Sequence, residues 1–418
     1  MKILISAAET SSDAHAAELL ESLREQLLAR GEEIHAFGIG GPKILAAGQK
    51  QIVDARELLS MGFLEIASRL PKILESLSRV EKAAIEGKPD VAVLLDYPDF
   101  HFRLAKRLKK QGIPIVYYIP PKVWAWRKGR VRFLKKFFSK ILCIFPFEEN
   151  FYQKENVPVK YVGNPLLDEL PLEATKAEAR AKLGLPATEK VLAVLPGSRP
   201  AELQRHLELF LDGAQMTAVK LLAAGGMRDH ERLRVLVPFP ETSQLAPLQD
   251  RIHAWEADQK HLLVQLRVSQ GDSAWTMLAA DAGLIKSGTS TLEAALLQCP
   301  HVIVYKPNKV TEILVRRVIN YWGPIGLSNL VCGVEREPFP IPELTGSGVT
   351  AQTLSTTLVQ LLLPTPLAEK LRGICEDIRR LMIIRENGKI TSPSLLAARE
   401  ILEVADQNQS RDQGRGRS

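Results

Sequence analysis

A chain of 418 residues, 45% hydrophobic and 25% charged, has the makeup of an ordinary globular protein of two or three domains at about 150 residues each. That composition excludes a disordered chain, a fibrous repeat and a disulfide scaffold. Fifty-five Lys and Arg against 48 Asp and Glu leave a net charge of +7, a basic excess that is unevenly spread along the chain.

The four cysteines, Cys143, Cys299, Cys332 and Cys375, form no CxxC pair. Buried free thiols in a reducing compartment are expected, and no zinc site. No apolar run approaches the roughly 18 residues that span a bilayer. The opening segment turns acidic at Glu9, too soon for a signal peptide, so a cytoplasmic protein is expected, free or lying on a membrane surface. From Phe100 to Phe147 there are 13 basic residues and no acidic one. The block reads either as an anion-binding surface or as a solvated helix face.

In chain order, Ile3–Ala7, Ile34–Gly38, Val91–Leu95, Ile115–Ile119, Ile141–Phe145 and Tyr161–Val162 are predicted strands. Ala14–Ala29, Gly62–Ile85, Phe102–Lys110, Arg127–Phe138 and Glu148–Lys154 are predicted helices between them. Near-continuous apolar strands with helical spacers mean a parallel sheet covered on both faces. The proline-containing stretch 163–176 reads as a linker. The pattern then restarts with strands at Val191–Leu195, Arg234–Val237, Leu262–Leu266, Gly283–Ile285 and His301–Val304. The fold expected is α/β, with two Rossmann-like parallel-sheet domains, an interdomain cleft and C-terminal helices. Their bounds are 1–170, 171–350, helices closing the two lobes over 351–405, and a disordered polar tail over 406–418. Ligands of such sheets bind outside the carboxyl ends of the strands.

Those strand ends carry the candidate chemistry. After the first comes Ala8-Glu9-Thr10-Ser11-Ser12-Asp13. Ser12 or Asp13 can cap the following helix, but capping leaves Glu9 unexplained, and a carboxylate there suits sugar hydroxyls. The Gly38-Ile39-Gly40-Gly41 loop lacks the third glycine of a dinucleotide fingerprint and reads as a tight turn. Asp96-Tyr97-Pro98-Asp99-Phe100 places two carboxylates after an apolar strand. Asp99 is placed to cap the next helix, whereas partial desolvation of Asp96 raises its pKa toward that of a general base. Trp124 reads as core, while Trp126-Arg127 offers a flat surface and a phosphate clamp. In the second half, Pro196-Gly197-Ser198-Arg199 and Ser287-Gly288-Thr289 each join a strand to a helix, where free amides bind phosphate oxygens. Glu293 follows as a candidate for a ribose diol. Two such loops in one domain favour a nucleoside diphosphate. The chain has no Asp-x-Asp, so no metal is expected, and Arg199, amides and helix dipoles would neutralise the diphosphate.

Two amphipathic stretches remain. Residues 62–81 repeat apolar side chains at helical spacing, including Leu64, Ile66, Leu70, Ile73 and Leu74. Core burial is the default. Pro71 interrupts the first half, and Met61-Gly62-Phe63 precedes it, so a lipid-touching half-helix is the alternative. Arg127–Lys140 alternates basic and aromatic residues, as both a membrane-surface helix and an ordinary one do.

Together these motifs resemble the lipid-A-disaccharide synthase family of GT-B glycosyltransferases over Lys2 to about Ala405. The resemblance rests on Glu9-Thr10-Ser11-x-Asp13, Gly38-x-Gly40-Gly41-Pro42, Met61-Gly62, Asp96-Tyr97-Pro98-Asp99-Phe100, Val123-Trp124-Ala125-Trp126-Arg127, Pro196-Gly197-Ser198-Arg199, Ser287-Gly288-Thr289 with Leu292-Glu293, and Ser328-Asn329-Leu330. It implies inverting transfer from UDP-2,3-diacylglucosamine to 2,3-diacylglucosamine 1-phosphate, with Asp96 as base and no cofactor. It places Pro196, Gly197, Ser198, Arg199, Ser287, Gly288, Thr289, Glu293 and Asn329 on the donor. On the acceptor it places Glu9, Ser11, Asp13, Met61, Asp99, Trp126, Arg127 and Asn164. Phe63, Leu64, Ile66, Leu70, Ile73 and Leu74 would meet acyl chains at the inner membrane. The chain departs from the family pattern at Ala8 and Ser12, where glycines are usual, at Asn164 in place of a histidine, and at Thr345-Gly346, where a glutamine is missing. Two alternatives stand beside this expectation: another GT-B UDP-N-acetylglucosamine transferase or epimerase, and a basic nucleic-acid-binding protein. The second is disfavoured because the aromatics lie on a predicted helix and in one loop rather than on strands.

Overall fold

The computed structural model describes residues 1–8, 10–58, 66–123, 128–307, 323–333 and 337–415, without the side chains of 10, 11, 66–70, 128 and 411–415. Its contacts divide the chain into two units, Met1–Asp168 with Met382–Ser418, and Glu169–Leu381.

The main sheet of the first unit is built from β1 (Lys2–Ala7), β2 (His35–Gly40), β3 (Lys50–Asp54), β4 (Val91–Leu95), β5 (Ile115–Tyr118), β6 (Lys140–Cys143) and β7 (Val159–Tyr161). They lie in the order β3-β2-β1-β4-β5-β6-β7, and every pairing is parallel. All five residues of β4, Val-Ala-Val-Leu-Leu, are buried, as a strand covered by helices on both faces must be. One core cluster joins Leu4, Leu94 and Tyr117 to the helices on one face. The other joins Ile5, Val93 and Tyr118 to Leu19, Leu23 and Leu402.

The second unit repeats the plan with β8 (Val191–Leu195), β9 (Leu233–Phe239), β10 (Val264–Gln270), β11 (Ala282–Lys286), β12 (His301–Tyr305) and β13 (Glu343–Thr345). Their order is β10-β9-β8-β11-β12-β13, again all parallel. The two-sheet α/β architecture expected from the sequence is therefore present. In each sheet the strand order reverses at one point, between β1 and β4 and between β8 and β11. Loops leaving a sheet at such a switch diverge to opposite faces and open a crevice.

Two expected boundaries are corrected. The C-terminal helices form no separate body: Ala351–Leu362 belongs to the second unit and Pro393–Arg415 to the first. Pro393–Arg415 also runs through most of the tail expected to be disordered. The helix propagates from a packed segment, where each added residue gains a backbone bond without a new nucleation cost, and the Gln409 amide donates to Asp90 at 2.9 Å. The helix Ile66–Gly87 likewise runs through Pro71 rather than breaking there.

Candidate functional site

The β4 end of the first switch point is built around a strained turn. Asp96 and Tyr97 both have left-handed backbone, at φ 54° and 41°, which costs non-glycine residues of order 1 kcal/mol or more each. A buried network holds the turn. The Asp96 carbonyl accepts from His101 Nδ1 at 2.6 Å and from the Tyr117 hydroxyl at 2.9 Å. Burial pushes His101 down to about 4, so the ring is neutral near pH 7. With the proton on Nδ1, its Nε2 accepts from the Ser6 hydroxyl at 2.8 Å. The Tyr97 hydroxyl donates to the Leu58 carbonyl at 3.1 Å.

This clamp fixes the backbone and leaves the Asp96 carboxylate half-buried, accepting only its neighbour's amide, Tyr97 N, at 2.9 Å among the hydrogen bonds of the described residues. Desolvation raises its pKa, and the Tyr97 amide and the Lys122 charge offset part of that rise. Asp99 is exposed and does not cap its helix. It sits in the first turn and pairs with Arg130 at 2.8 Å. Tyr97 holds the cap position instead, because the chain enters the helix from the left-handed turn.

Asp13 is not the cap of its own helix, Thr10–Ala29. It is 4% exposed, and its carboxylate accepts the amides of Gly41 (2.8 Å), Lys43 (2.9 Å) and Ile44 (3.3 Å). It therefore caps the short helix Pro42–Ala46 from 28 residues away in sequence, which is why no local pattern reveals it. A Cβ on Gly41 would stand 2.7 Å from Asp13 Oδ2, so the tight loop is glycine at that position to admit the carboxylate. Ser12 is buried in its helix. Asn164, expected on the acceptor, is 8% exposed and its Oδ1 caps the turn at Leu166 N, 3.1 Å away. Glu9, Met61, Phe63, Leu64, Trp126 and Arg127 lie outside the described residues, as do the side chains of Ser11, Ile66 and Leu70. Ile73 packs on the core, whereas Leu74 is 42% exposed.

Among the described residues of the basic block, Phe100 and Phe138 are buried, and Phe102, Phe133 and Phe137 pack against the same core. Phe133 stacks on Phe102 at 4.5 Å and Phe138 on Tyr117 at 4.8 Å. Arg103, Lys106, Arg132, Lys135 and Lys136 stay exposed. Among the described residues this cationic surface carries no exposed aromatic stacking platform of the kind single-stranded nucleic acid uses.

At the second switch point, Pro196–Arg199 leaves β8 and Ser287–Thr289 leaves β11. Both line a cavity of about 570 Å³, together with Lys286 and Glu293. The Ser287 hydroxyl donates to the Ile325 carbonyl (2.7 Å), and the Thr291 hydroxyl to the Gly288 carbonyl (2.8 Å). These bonds fix the loop. A Cβ on Gly288 would meet nothing nearer than 3.9 Å, so packing does not demand glycine there, and its absent side chain leaves room in the cavity. Asn329, expected on the donor, is wholly buried. Its amide donates to the Ile341 carbonyl and to Glu343 at 2.8 Å each, and its Oδ1 accepts the Ile341 amide at 2.9 Å. Glu343 in turn accepts the amides of Ile325 and Gly326 at 2.9 and 3.0 Å. The pair is a clasp holding β13 to the 325–329 segment, and it is not offered to a ligand.

Burial, with the neighbouring Glu169 carboxylate, pushes Glu293 up to about 7 against a bond from Thr289. A carboxyl raised on folding costs stability once the unfolded chain ionises. The contribution of Glu293 to stability should therefore fall between pH 4.5 and 7 and then level off, a cost on the order of 3 kcal/mol. Glu293→Gln, which mimics the protonated form, should melt with wild type near pH 4.5 and several degrees above it at pH 8. Thermal melts at the two pH values check this.

Three residues outside the expected set complete these sites: His101 under Asp96, and Glu202 and Lys286 between the two loops of the second. Glu202 carries a faint signal, since a glutamate three residues after Arg199 fits a capping box. Lys286 directly precedes Ser-Gly-Thr but matches no pattern.

The profile of the lipid-A-disaccharide synthetase family matches residues 3–390. The lipid-A-disaccharide synthase of Myxococcus xanthus (strain DK1622) is 37% identical over 96% of this chain and 97% of its own. That of Pseudomonas aeruginosa (strain LESB58) is 35% identical over 87% and 89%. Among solved structures, MurG of Acinetobacter baumannii superposes at TM-score 0.55 with 14% identity, covering 96% of this chain and 99% of that one. UDP-GlcNAc 2-epimerase of Neisseria meningitidis, bound to UDP-GlcNAc, superposes at 0.52 with 14% identity over 96% and 100%. At that identity the structural likeness speaks for the fold alone.

Proposed function

The chain belongs to the lipid-A-disaccharide synthase family and is a UDP-sugar-dependent glycosyltransferase; from that premise we propose its particular reaction and the residues that run it. The donor is UDP-2,3-diacylglucosamine and the acceptor 2,3-diacylglucosamine 1-phosphate. Asp96 takes the proton of the acceptor's 6-hydroxyl. The oxygen attacks the anomeric carbon from the face opposite the nucleotide, the bond from that carbon to the phosphate oxygen breaks, and UDP leaves with the electron pair. The product is a β-1,6 disaccharide 1-phosphate with inverted configuration. Arg199 and the amides of the Pro-Gly-Ser-Arg and Ser-Gly-Thr loops meet the charge developing on the diphosphate, and Glu293 holds the ribose. No metal takes part, because fixed positive charge does its work.

The observation that carries this reading is Asp96 itself: a half-buried carboxylate with raised pKa, at a sheet's switch point, on a turn kept strained by its own buried network. The loops of the second switch point supply the donor half. The exposed cations at 103–136 and Leu74 suit a surface lying on anionic headgroups of the inner membrane. Among the described residues no helix is long and apolar enough to cross a membrane.

A coupled assay of UDP release with both diacyl substrates, with and without EDTA, tests the reading. Turnover is expected with both substrates present and unaffected by EDTA. EDTA-sensitive turnover overturns the metal-free scheme, and turnover of UDP-N-acetylglucosamine without acyl chains moves the enzyme to another GT-B reaction.

A further inference from the structure

The amides expected to receive a phosphate are already occupied. Glu202, in the first turn of the helix Pro200–Ala223, turns back so that Oε2 accepts from Ser198 N at 3.2 Å and Arg199 N at 3.4 Å. Its other oxygen takes a hydrogen bond from Lys286 Nζ at 2.8 Å. Both side chains are sheltered, at 15% and 16% exposure, and both line the cavity of about 570 Å³. Gly197 makes the arrangement possible: its φ is +122°, and a Cβ there would stand 2.7 Å from both Cβ and Oε2 of Glu202.

One carboxylate thus bridges an ammonium at the end of β11 and two amides on the β8 loop, the donor set that an oxygen of a diphosphate would use. A sheltered ammonium is costly without a counter-ion, and Glu202 supplies one. A diphosphate entering the cavity meets the same cation and the same amides, with more charge and more acceptor oxygens.

Building on the donor-site reading above, we propose that Lys286 is a diphosphate-binding residue and that Glu202 is its resident counter-anion, competing with the nucleotide for the ammonium and the loop amides. The competition limits how tightly UDP is held. That favours release of the product, while the transition state, with its larger charge on the leaving oxygen, still gains from Lys286.

The test compares UDP with uridine, which lacks the diphosphate, by calorimetric titration of the full-length protein. In Lys286→Met, UDP should bind at least tenfold more weakly while uridine binding stays unchanged. Lys286→Arg should keep UDP affinity within about threefold of wild type. In Glu202→Gln, UDP should bind several-fold more tightly, again with uridine unchanged. The UDP-to-uridine ratio is taken within each variant, so a partly folded preparation does not distort it. Equal changes for UDP and uridine in Lys286→Met, or weaker UDP binding in Glu202→Gln, overturn the proposal and leave the ion pair as a tie between loops. Wild-type protein that binds neither UDP nor uridine overturns the donor-site reading itself, and this inference with it.

Discussion

Replacing Asp96 by Asn should lower kcat by about 10³-fold, the scale of a lost general base, while leaving UDP affinity unchanged. The substitution keeps the shape of the side chain and its acceptor for the Tyr97 amide, so the turn survives. What it removes is the ability to take a proton. The expectation has a pH signature. Because burial raises the Asp96 pKa, the carboxylate needed as a base is lost at a higher pH than for an exposed aspartate near 3.9. In wild type, kcat/KM should fall as pH drops through that raised value. In Asp96→Asn the residual rate should lose this acid limb. UDP release measured across pH, paired with UDP titrations, checks all of this. Release at the wild-type rate in Asp96→Asn would take the residue out of the reaction.

The parallel sheets were legible in the sequence because strands buried on both faces are mostly apolar: Val-Ala-Val-Leu-Leu and Val-Leu-Ala-Val-Leu announce themselves. The strands that escaped notice are the exceptions. β3, Lys-Gln-Ile-Val-Asp, and β13, Glu-Leu-Thr, lie at sheet edges and need no apolar run. The loops of both switch points were legible for a related reason, since whatever follows an apolar strand directly must stand at a carboxyl end. The partners of those loops were not. Asp13 reaches Gly41, Asn329 reaches Ile341, and Glu202 reaches Lys286. Each is a bond between residues adjacent only after the chain has folded. Local capping rules gave Asp13 the wrong helix because they see only the next turn of the same chain segment. Asp96 was singled out by position alone. The left-handed turn and the His101 network that hold it in place are properties of the folded unit.

Asp13→Ala should show how much the first unit depends on one such long-range bond. The carboxylate is almost fully buried and satisfies three amides at the start of Pro42–Ala46. An ordinary N-cap is worth about 1–2 kcal/mol, and leaving buried donors unpaired adds about 1–3 kcal/mol for each one that water cannot reach. Gly41 N and Ile44 N are in that position. A loss on the order of 3–8 kcal/mol follows, which at about 2–4 °C per kcal/mol for a unit of this size lowers the first unit's melting temperature by at least roughly 6 °C. Asp13→Asn keeps one acceptor oxygen and should lose about half as much. The coupling is specific. Gly41→Ala is costly in wild type because its Cβ would press on Asp13 Oδ2, and it should cost less in the Asp13→Ala background, where that oxygen is gone. Denaturant or thermal melts of the four proteins close the cycle. Strictly additive losses, or an Asp13→Ala protein within 1 kcal/mol of wild type, would mean that the carboxylate does not hold this loop, and would return Asp13 to the acceptor-binding role that its place after β1 first suggested.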